Sequence, residues 1–78
     1  MIKNSKDVVL YRIAPTKNMQ RFYTISVEGN LFGGGSLIRS WGRIGKRGQS
    51  KIELYDCKVS AYKELERISA SKMKRGYV

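Results

Sequence analysis

The sequence predicts an α+β fold, a single small domain in which an antiparallel sheet of about four strands carries one C-terminal helix on one face. Three observations predict it. Up to about residue 55, apolar and polar residues alternate as they do in half-buried strands. Beyond that point the apolar residues recur at helical spacing. The length of 78 residues suits one domain with a small core, so we expect residues 1–78 to fold as a unit.

Four segments are predicted as strands because they are rich in β-branched residues or alternate in polarity: Val8–Ile13, Arg21–Glu28, Ser36–Ile44 and Gln49–Tyr55. In the second segment Tyr23, Ile25 and Val27 all point to one face. The connections between the strands are rich in Gly, Pro and polar residues: a loop over 15–20, a Gly-rich loop over 29–35 and a hairpin turn over 45–48.

The helix is predicted from the change of period after the fourth strand. Ala61, Leu65 and Ile68 recur at i, i+4 and i+7, which places them on one helical face. Asp56 is predicted as the N-cap, and Gly76 as the residue just beyond the C-terminus. The pattern therefore predicts a helix of about four turns that packs on the sheet.

The third strand carries the only tryptophan in the chain, and alternation divides its side chains into two sets. One set is small or aliphatic: Ser36, Ile38, Ser40, Gly42 and Ile44. The other set consists of Leu37, Arg39, Trp41 and Arg43. Because an uncharged face suits a packed helix, we expect the helix on the first set and the Trp/Arg set in solvent. Two alternatives stay open: Trp41 sandwiched between the arginines without a ligand, or an inverted face with Trp41 in the core.

The charge of the chain is strongly positive and unevenly distributed. The net charge is +10, from 16 Lys and Arg against 6 Asp and Glu. Residues 31–51 contain five basic side chains and no acidic one, and this stretch includes Trp41. A field of this sign attracts polyanions, with nucleic acid ahead of an anionic membrane or an acidic protein.

Several function classes are disfavoured by the composition. The chain has no His and one Cys, Cys57, so His-based catalysis, a Cys-His nucleophile and the usual zinc sites are excluded. We therefore expect no enzymatic activity, no metal and no cofactor. A lone Cys, an N-terminus without an apolar signal core and the absence of a membrane-spanning apolar run predict a cytoplasmic protein without membrane contact.

An ordered set of short motifs covers nearly the whole chain, from about Val8 to Tyr77. It comprises Arg21-Phe22-Tyr23, Leu31-Phe32-Gly33-Gly34, Ser36-Leu37, Trp41-Gly42-Arg43-Ile44-Gly45, Ala61 in the helix, and Lys72 with Gly76-Tyr77. With these motifs the sequence resembles the WGR domain, most closely its small stand-alone bacterial members. The resemblance implies an antiparallel sheet with a helix, a domain core over about 8–77, and nucleic-acid binding.

The resemblance also implies roles for two residues. In DNA-dependent poly(ADP-ribose) polymerases the WGR domain binds DNA at strand breaks, with the motif tryptophan on a sugar at the DNA end. By this likeness Trp41 would pack on a terminal nucleotide, and Arg43 would contact phosphate or a partner domain. The polymerase activity does not carry over, because no ADP-ribosyltransferase domain is present in these 78 residues.

The sequence thus predicts a non-enzymatic module that binds DNA, with DNA ends or breaks as the candidate target. The candidate DNA-binding residues are Trp41, Arg43, Arg39, Lys46, Arg47, Lys51 and Lys72. Two alternatives use the same face: RNA binding, or a protein interaction in which an acidic partner or an identical subunit docks there.

Overall fold

The computed structural model describes residues 7–30 and 33–78, which form one four-stranded antiparallel sheet and one helix. The elements in chain order are β1 (Val8–Ala14), β2 (Met19–Gly29), β3 (Gly35–Arg43), β4 (Gln49–Tyr55) and α1 (Lys58–Lys74). Each strand pairs with its neighbours in sequence, giving the order β1-β2-β3-β4. The predicted α+β fold is confirmed.

The strand boundaries agree closely with the alternation pattern. The bounds of β4 were predicted correctly, whereas β2 extends further at both ends, from Met19 to Gly29. The extension arises because Met19 and Gln20 find main-chain partners in Ala14 and Ile13. What remains of the predicted 15–20 loop is one 3₁₀ turn over Pro15–Lys17, closed by a left-handed residue.

The core lies between the sheet and α1, and it contains the residues that the two periods predicted. Tyr23, Ile25 and Val27 of β2 share one face, as predicted, and the structure shows that this face is buried. The helical face of Ala61, Leu65 and Ile68 is also buried, as predicted. The rest of the core comes from β1, β3 and the chain end: Leu10, Leu37 and Tyr77.

The prediction that the helix covers the Ile38/Gly42/Ile44 face of β3 is wrong. In the sheet Tyr23 lies opposite Trp41, Ile25 opposite Arg39, and Val27 opposite Leu37. Directly paired residues share a face, so the apolar row of β2 brings the Trp/Arg set onto the helix side. The alternative prediction, in which the Trp/Arg set faces the helix, was therefore correct about the face. Trp41 is only half-buried there and is not a fully buried core residue.

Gly42 was also predicted to face the helix, and it lies on the other side of the sheet. It lies opposite Phe22 and faces away from the helix. A Cβ at Gly42 would stand 2.7 Å from the Cα of Gly48 and 3.4 Å from the Phe22 ring. The missing side chain therefore makes room for the β3–β4 turn and Phe22, rather than for the helix.

The ends of α1 differ partly from expectation. The N-cap is Cys57 rather than Asp56, and it makes no side-chain capping hydrogen bond. Gly76 follows the helix with a φ of 99°, as predicted for the residue beyond its C-terminus. The chain end then returns to the sheet, where Val78 and Tyr11 exchange two main-chain hydrogen bonds of 2.8 Å. Leu31 and Phe32, which belong to one of the motifs, lie outside the described residues.

The turn between β3 and β4 is closed by two glycines with positive φ, Gly45 (88°) and Gly48 (73°). Open space surrounds the Cβ position of Gly45. At Gly48 a Cβ would stand 2.3 Å from the carbonyl oxygen of Trp41. Both glycines therefore require a backbone with positive φ, but only Gly45 has space for a side chain.

We predict that Gly48→Ala destabilises the protein more than Gly45→Ala. Gly45→Ala should cost about 1–2 kcal/mol of unfolding free energy, because only the left-handed backbone is penalised. Gly48→Ala should cost roughly 1–2 kcal/mol more, because the Trp41 main chain must also shift. Urea denaturation followed by Trp41 emission measures both, and equal midpoints for the two variants would contradict the proposed packing of the turn.

Candidate nucleic-acid interface

An open cleft of about 550 Å³ lies on the helix side of the sheet, next to the C-terminal part of α1. It is lined by residues of β2, β3, the helix and the chain end: Arg21, Tyr23, Arg39, Trp41, Gly42, Arg43, Lys72 and Tyr77. The lining therefore combines four cations with three aromatic rings, and none of its residues is acidic. This combination suits a ligand that is both anionic and flat.

The aromatic side chains of the cleft form one packed cluster. The rings of Trp41 and Tyr23 stack with centroids 5.9 Å apart and an interplanar angle of 17°. Tyr77 meets Tyr23 edge-on, at 6.2 Å and 75°. Tyr23 and Tyr77 are buried, whereas Trp41 is half-buried and borders the cleft. The core therefore holds the indole in place while leaving part of it accessible.

Three arginines stand in one row across neighbouring strands on the helix side of the sheet. Arg12 of β1 lies opposite Arg21 of β2, which in turn lies opposite Arg43 of β3. Adjacent strands are about 4.8 Å apart, and like charges placed directly opposite one another are destabilising. A bound anion would remove this repulsion. The Arg43 guanidinium is oriented by donating to the main-chain oxygen of Asn18 at 3.2 Å and to its Oδ1 at 3.4 Å.

Arg39 occupies the interior end of the cleft, where it is half-buried. It forms an ion pair with Glu53 at 2.9 Å, and its Nη1 donates to the Tyr23 hydroxyl at 3.4 Å. Its Nε is buried without a partner. The pair with Glu53 explains how a charged side chain is accommodated beside the core. The charge of Arg39 is therefore partly neutralised by Glu53, and its hydrogen bond to the Tyr23 hydroxyl helps to hold that ring in place.

Lys72 extends from the last turn of α1 over the aromatic cluster. Its Nζ lies 4.6 Å from the ring centroid of Tyr23 and 5.8 Å from that of Tyr77. Desolvation lowers the pKa of Lys72 below the usual lysine value, and the nearby charges of Arg75 and Arg39 lower it further. An anion in the cleft would oppose both charges and favour the protonated lysine. The cation over the cluster is thus Lys72, and not the pair of arginines of the sandwich hypothesis.

The structure brings together four of the seven candidate residues. Trp41, Arg43, Arg39 and Lys72 all line the cleft. The other three lie outside its lining, two on the exposed β3–β4 turn and one on β4: Lys46, Arg47 and Lys51. Lys51 lies opposite Arg39 and so shares its face.

Sequence reasoning missed Arg21, Tyr23 and Tyr77 as residues of the site. The β2–β3 register, which follows only from folding, sets Arg21 and Tyr23 beside Arg43 and Trp41. Tyr77 is placed by the return of the chain end to β1. Alternation within β2 does put Arg21 on the face of Tyr23, and that signal was available from the sequence.

Other chemical features of the described residues are sparse. Within residues 7–30 and 33–78, no three His, Cys, Asp or Glu side chains are grouped to hold a metal ion. Cys57 is exposed, and a hydrogen bond with the Ser60 hydroxyl lowers the pKa of its thiol. The one helix in this part of the chain is too short and too polar to cross a membrane.

Comparison with known proteins agrees with the motif set. The model of the WGR domain family matches residues 6–78. The chain is 38% identical over 77 residues to the uncharacterized protein y4dW of Sinorhizobium fredii (strain NBRC 101917 / NGR234). The match covers 99% of this chain and 38% of y4dW, so the chain spans well under half the length of that relative. No solved structure gives a significant match.

We predict that Glu53→Gln destabilises the protein more than Glu64→Gln. Loss of the Glu53 charge leaves Arg39 half-buried without its counterion, which should cost about 1–3 kcal/mol of unfolding free energy. Glu64 pairs with the exposed Arg67 on the helix surface, so its loss should cost less than about 1 kcal/mol. Chemical denaturation of both variants measures the difference, and similar costs would contradict the structural role of the Arg39–Glu53 pair.

Proposed function

This chain belongs to the WGR domain family, and on that premise we propose that it binds DNA through the cleft, as a module without catalytic activity. The family is generally one of nucleic-acid-binding modules. For this chain we propose DNA as the ligand and the cleft beside Trp41 as the surface that contacts it.

The observation that carries the proposal is the concentration of unneutralised positive charge on the cleft. Arg21 and Arg43 line the cleft and stand in one row with Arg12, which lies outside its lining, against the rule that like charges avoid direct cross-strand pairing. Lys72 is desolvated with two further cations nearby. Such an arrangement is costly in the free protein and favourable once phosphates are bound. A polyanion with closely spaced charges is therefore the ligand that fits.

The aromatic cluster favours a nucleic acid over other polyanions. Trp41 is held by Tyr23 yet borders the cleft, so it can pack on a sugar or a base without first losing conformational freedom. Stacking of a base on an aromatic side chain is worth about 1–3 kcal/mol. Because stacking on an unpaired face is available at a duplex terminus, this geometry supports a DNA end as the preferred target, in line with the resemblance.

The cations outside the cleft would extend the path of the phosphate backbone. Lys46 and Arg47 lie on the turn that follows Arg43, and Lys51 lies opposite Arg39 on β4. We expect mainly phosphate and sugar contacts, with little recognition of base edges. If three to five phosphates are neutralised, log K should fall with log salt with a slope of roughly −3 to −4.5.

Trp41 is the only tryptophan, so its fluorescence tests the proposal directly. The protein is titrated with a short blunt hairpin duplex and, separately, with covalently closed circular DNA. The proposal expects a saturable signal that is stronger for the ended duplex. Equal responses would retain DNA binding and reject end recognition. A preference for single-stranded or A-form RNA, or no response to DNA, would reject the proposal in favour of RNA or an acidic protein partner.

We predict that Arg21→Gln weakens DNA binding and reduces the salt slope by about 1, because one phosphate contact is lost. Lys63→Gln is the matched control, since it removes the same charge from an exposed part of α1 that does not line the cleft. It should leave the slope nearly unchanged. Fluorescence titrations at several salt concentrations provide both slopes. Equal changes in the two variants would indicate attraction to net charge alone and contradict binding in the cleft.

We predict that DNA affinity falls at alkaline pH sooner than an ordinary lysine would cause. The bound phosphate requires protonated Lys72, and the pKa of Lys72 in the free protein is lowered. Affinity should therefore be constant at neutral pH and fall as the pH rises through that lowered pKa. Lys72→Arg keeps its charge and should lose less affinity over the same range. Parallel pH profiles for the two proteins would contradict a phosphate contact by Lys72.

A further inference from the structure

The face of the sheet that points away from α1 has no helix or strand packed on it among the described residues, and we call it the open face. The β3–β4 turn packs against it at one end, beside Gly42 and Phe22. Its large apolar side chains come from all four strands: Val9, Tyr11, Ile13, Phe22, Ile38, Ile52 and Leu54. Five of them are substantially exposed, with Ile52 at 63% and Leu54 at 73%. These side chains form two groups, one on β1 and β2 and one on β3 and β4, with the hydroxyl side chains of Thr24, Ser40 and Ser50 in a row between them. An exposed apolar surface of this extent marks an interaction site.

The open face differs from the rest of the molecule in charge. The protein carries a net charge of +10, yet Glu28 is the one charged residue among the paired strand residues of this face. Its polar members are otherwise uncharged, and Ser40 and Ser50 hydrogen-bond to each other across β3 and β4 at 2.9 Å. The paired strand residues of this face therefore offer no cation to a polyanion or an acidic protein. The surface suits a partner whose own face is apolar and uncharged.

We propose that this partner is a second copy of the chain, which packs its open face against the first in a two-fold symmetric dimer. The open face supplies the required chemistry on both sides, because an uncharged apolar sheet is complementary to itself. Two sheets packed face to face lie about 10 Å apart with their strands aligned to within about 30°. Each copy would then bury the side chains that the single chain leaves in solvent.

The size of the open face is compatible with a reversible dimer. Four strands at a spacing of about 4.8 Å, each with about seven residues at about 3.3 Å, give a planar area of roughly 440 Å². The relief of the side chains adds to this value. Specific interfaces of standard size bury about 800 Å² per partner, and weaker ones less. We therefore expect an association that depends on concentration rather than a permanent dimer.

The proposed dimer would have a consequence for ligand binding, which rests on the proposed function. The cleft lies on the helix side of the sheet, opposite the open face. Two copies joined through their open faces would present two clefts on opposite outer surfaces. Such a dimer can hold two DNA segments at once, whereas a single chain holds one.

The interface is tested by sedimentation equilibrium without nucleic acid, over a range of protein and salt concentrations. Ile52→Lys places a charge in the open face and should weaken dimerisation at least about tenfold. Val59→Lys is the matched control, because Val59 is on α1 and is also 63% exposed. It should leave the dimer unchanged. Trp41 emission monitors the fold of both variants.

The dependence on salt concentration distinguishes this dimerisation from DNA binding in the cleft. Two chains of charge +10 repel each other, so added salt should strengthen dimerisation, whereas it weakens DNA binding. A monomer under all conditions would overturn the proposal, as would a dimer that survives Ile52→Lys or weakens with salt. Since no DNA is present, none of these results depends on the proposed function. Transfer of fluorescence between two differently labelled duplexes then tests whether the dimer bridges them.

Discussion

The register between β2 and β3 is the constraint on which the fold and the candidate site both depend. It sets Tyr23 opposite Trp41 and Arg21 opposite Arg43. A shift of one residue would turn every side chain of β3 to the other face. The aromatic cluster, the row of arginines and the cleft would then be lost together. The buried apolar row of β2 excludes such a shift, because its directly paired partners in β3 lie on the same face, against the helix.

This constraint places charged residues beside a small core, and the structure contains specific interactions that accommodate them. Arg39 is paired with Glu53 and with the Tyr23 hydroxyl. Lys72 lies over aromatic rings instead of meeting a carboxylate. In a chain of 78 residues the same side therefore provides both the hydrophobic core and the proposed binding surface. The repulsion between neighbouring cations that remains is the physical reason to expect an anionic ligand there.

The sequence was sufficient to predict the four strands and the helix, but it was not sufficient to predict which face of the sheet the helix covers. Periodicity alone located β4, the buried row of β2 and the buried face of α1, because each follows from local spacing. It failed on β3, where the uncharged set of residues was expected under the helix. That set forms part of the open face instead, since apolar character within one strand does not tell which neighbour will cover it. The ion pair between Arg39 and Glu53 stabilises the charged set of β3 on the helix side of the sheet. Because it joins two strands, it can be seen only in the folded structure. For the same reason Arg21 and Tyr77 were not found as members of the site.

The two faces of the sheet thus have different chemistry: one cationic and aromatic, the other aliphatic and uncharged. We propose that DNA binds the first of these. Amide and indole NMR spectra recorded during titration with a short blunt duplex would test it most directly. If DNA binds in the cleft, the signals of the Trp41 indole, Arg21 and Tyr77 should shift first, while those of Val9 and Ile52 stay unchanged. Shifts confined to the open face, or to the turn with an unperturbed Trp41, would contradict it.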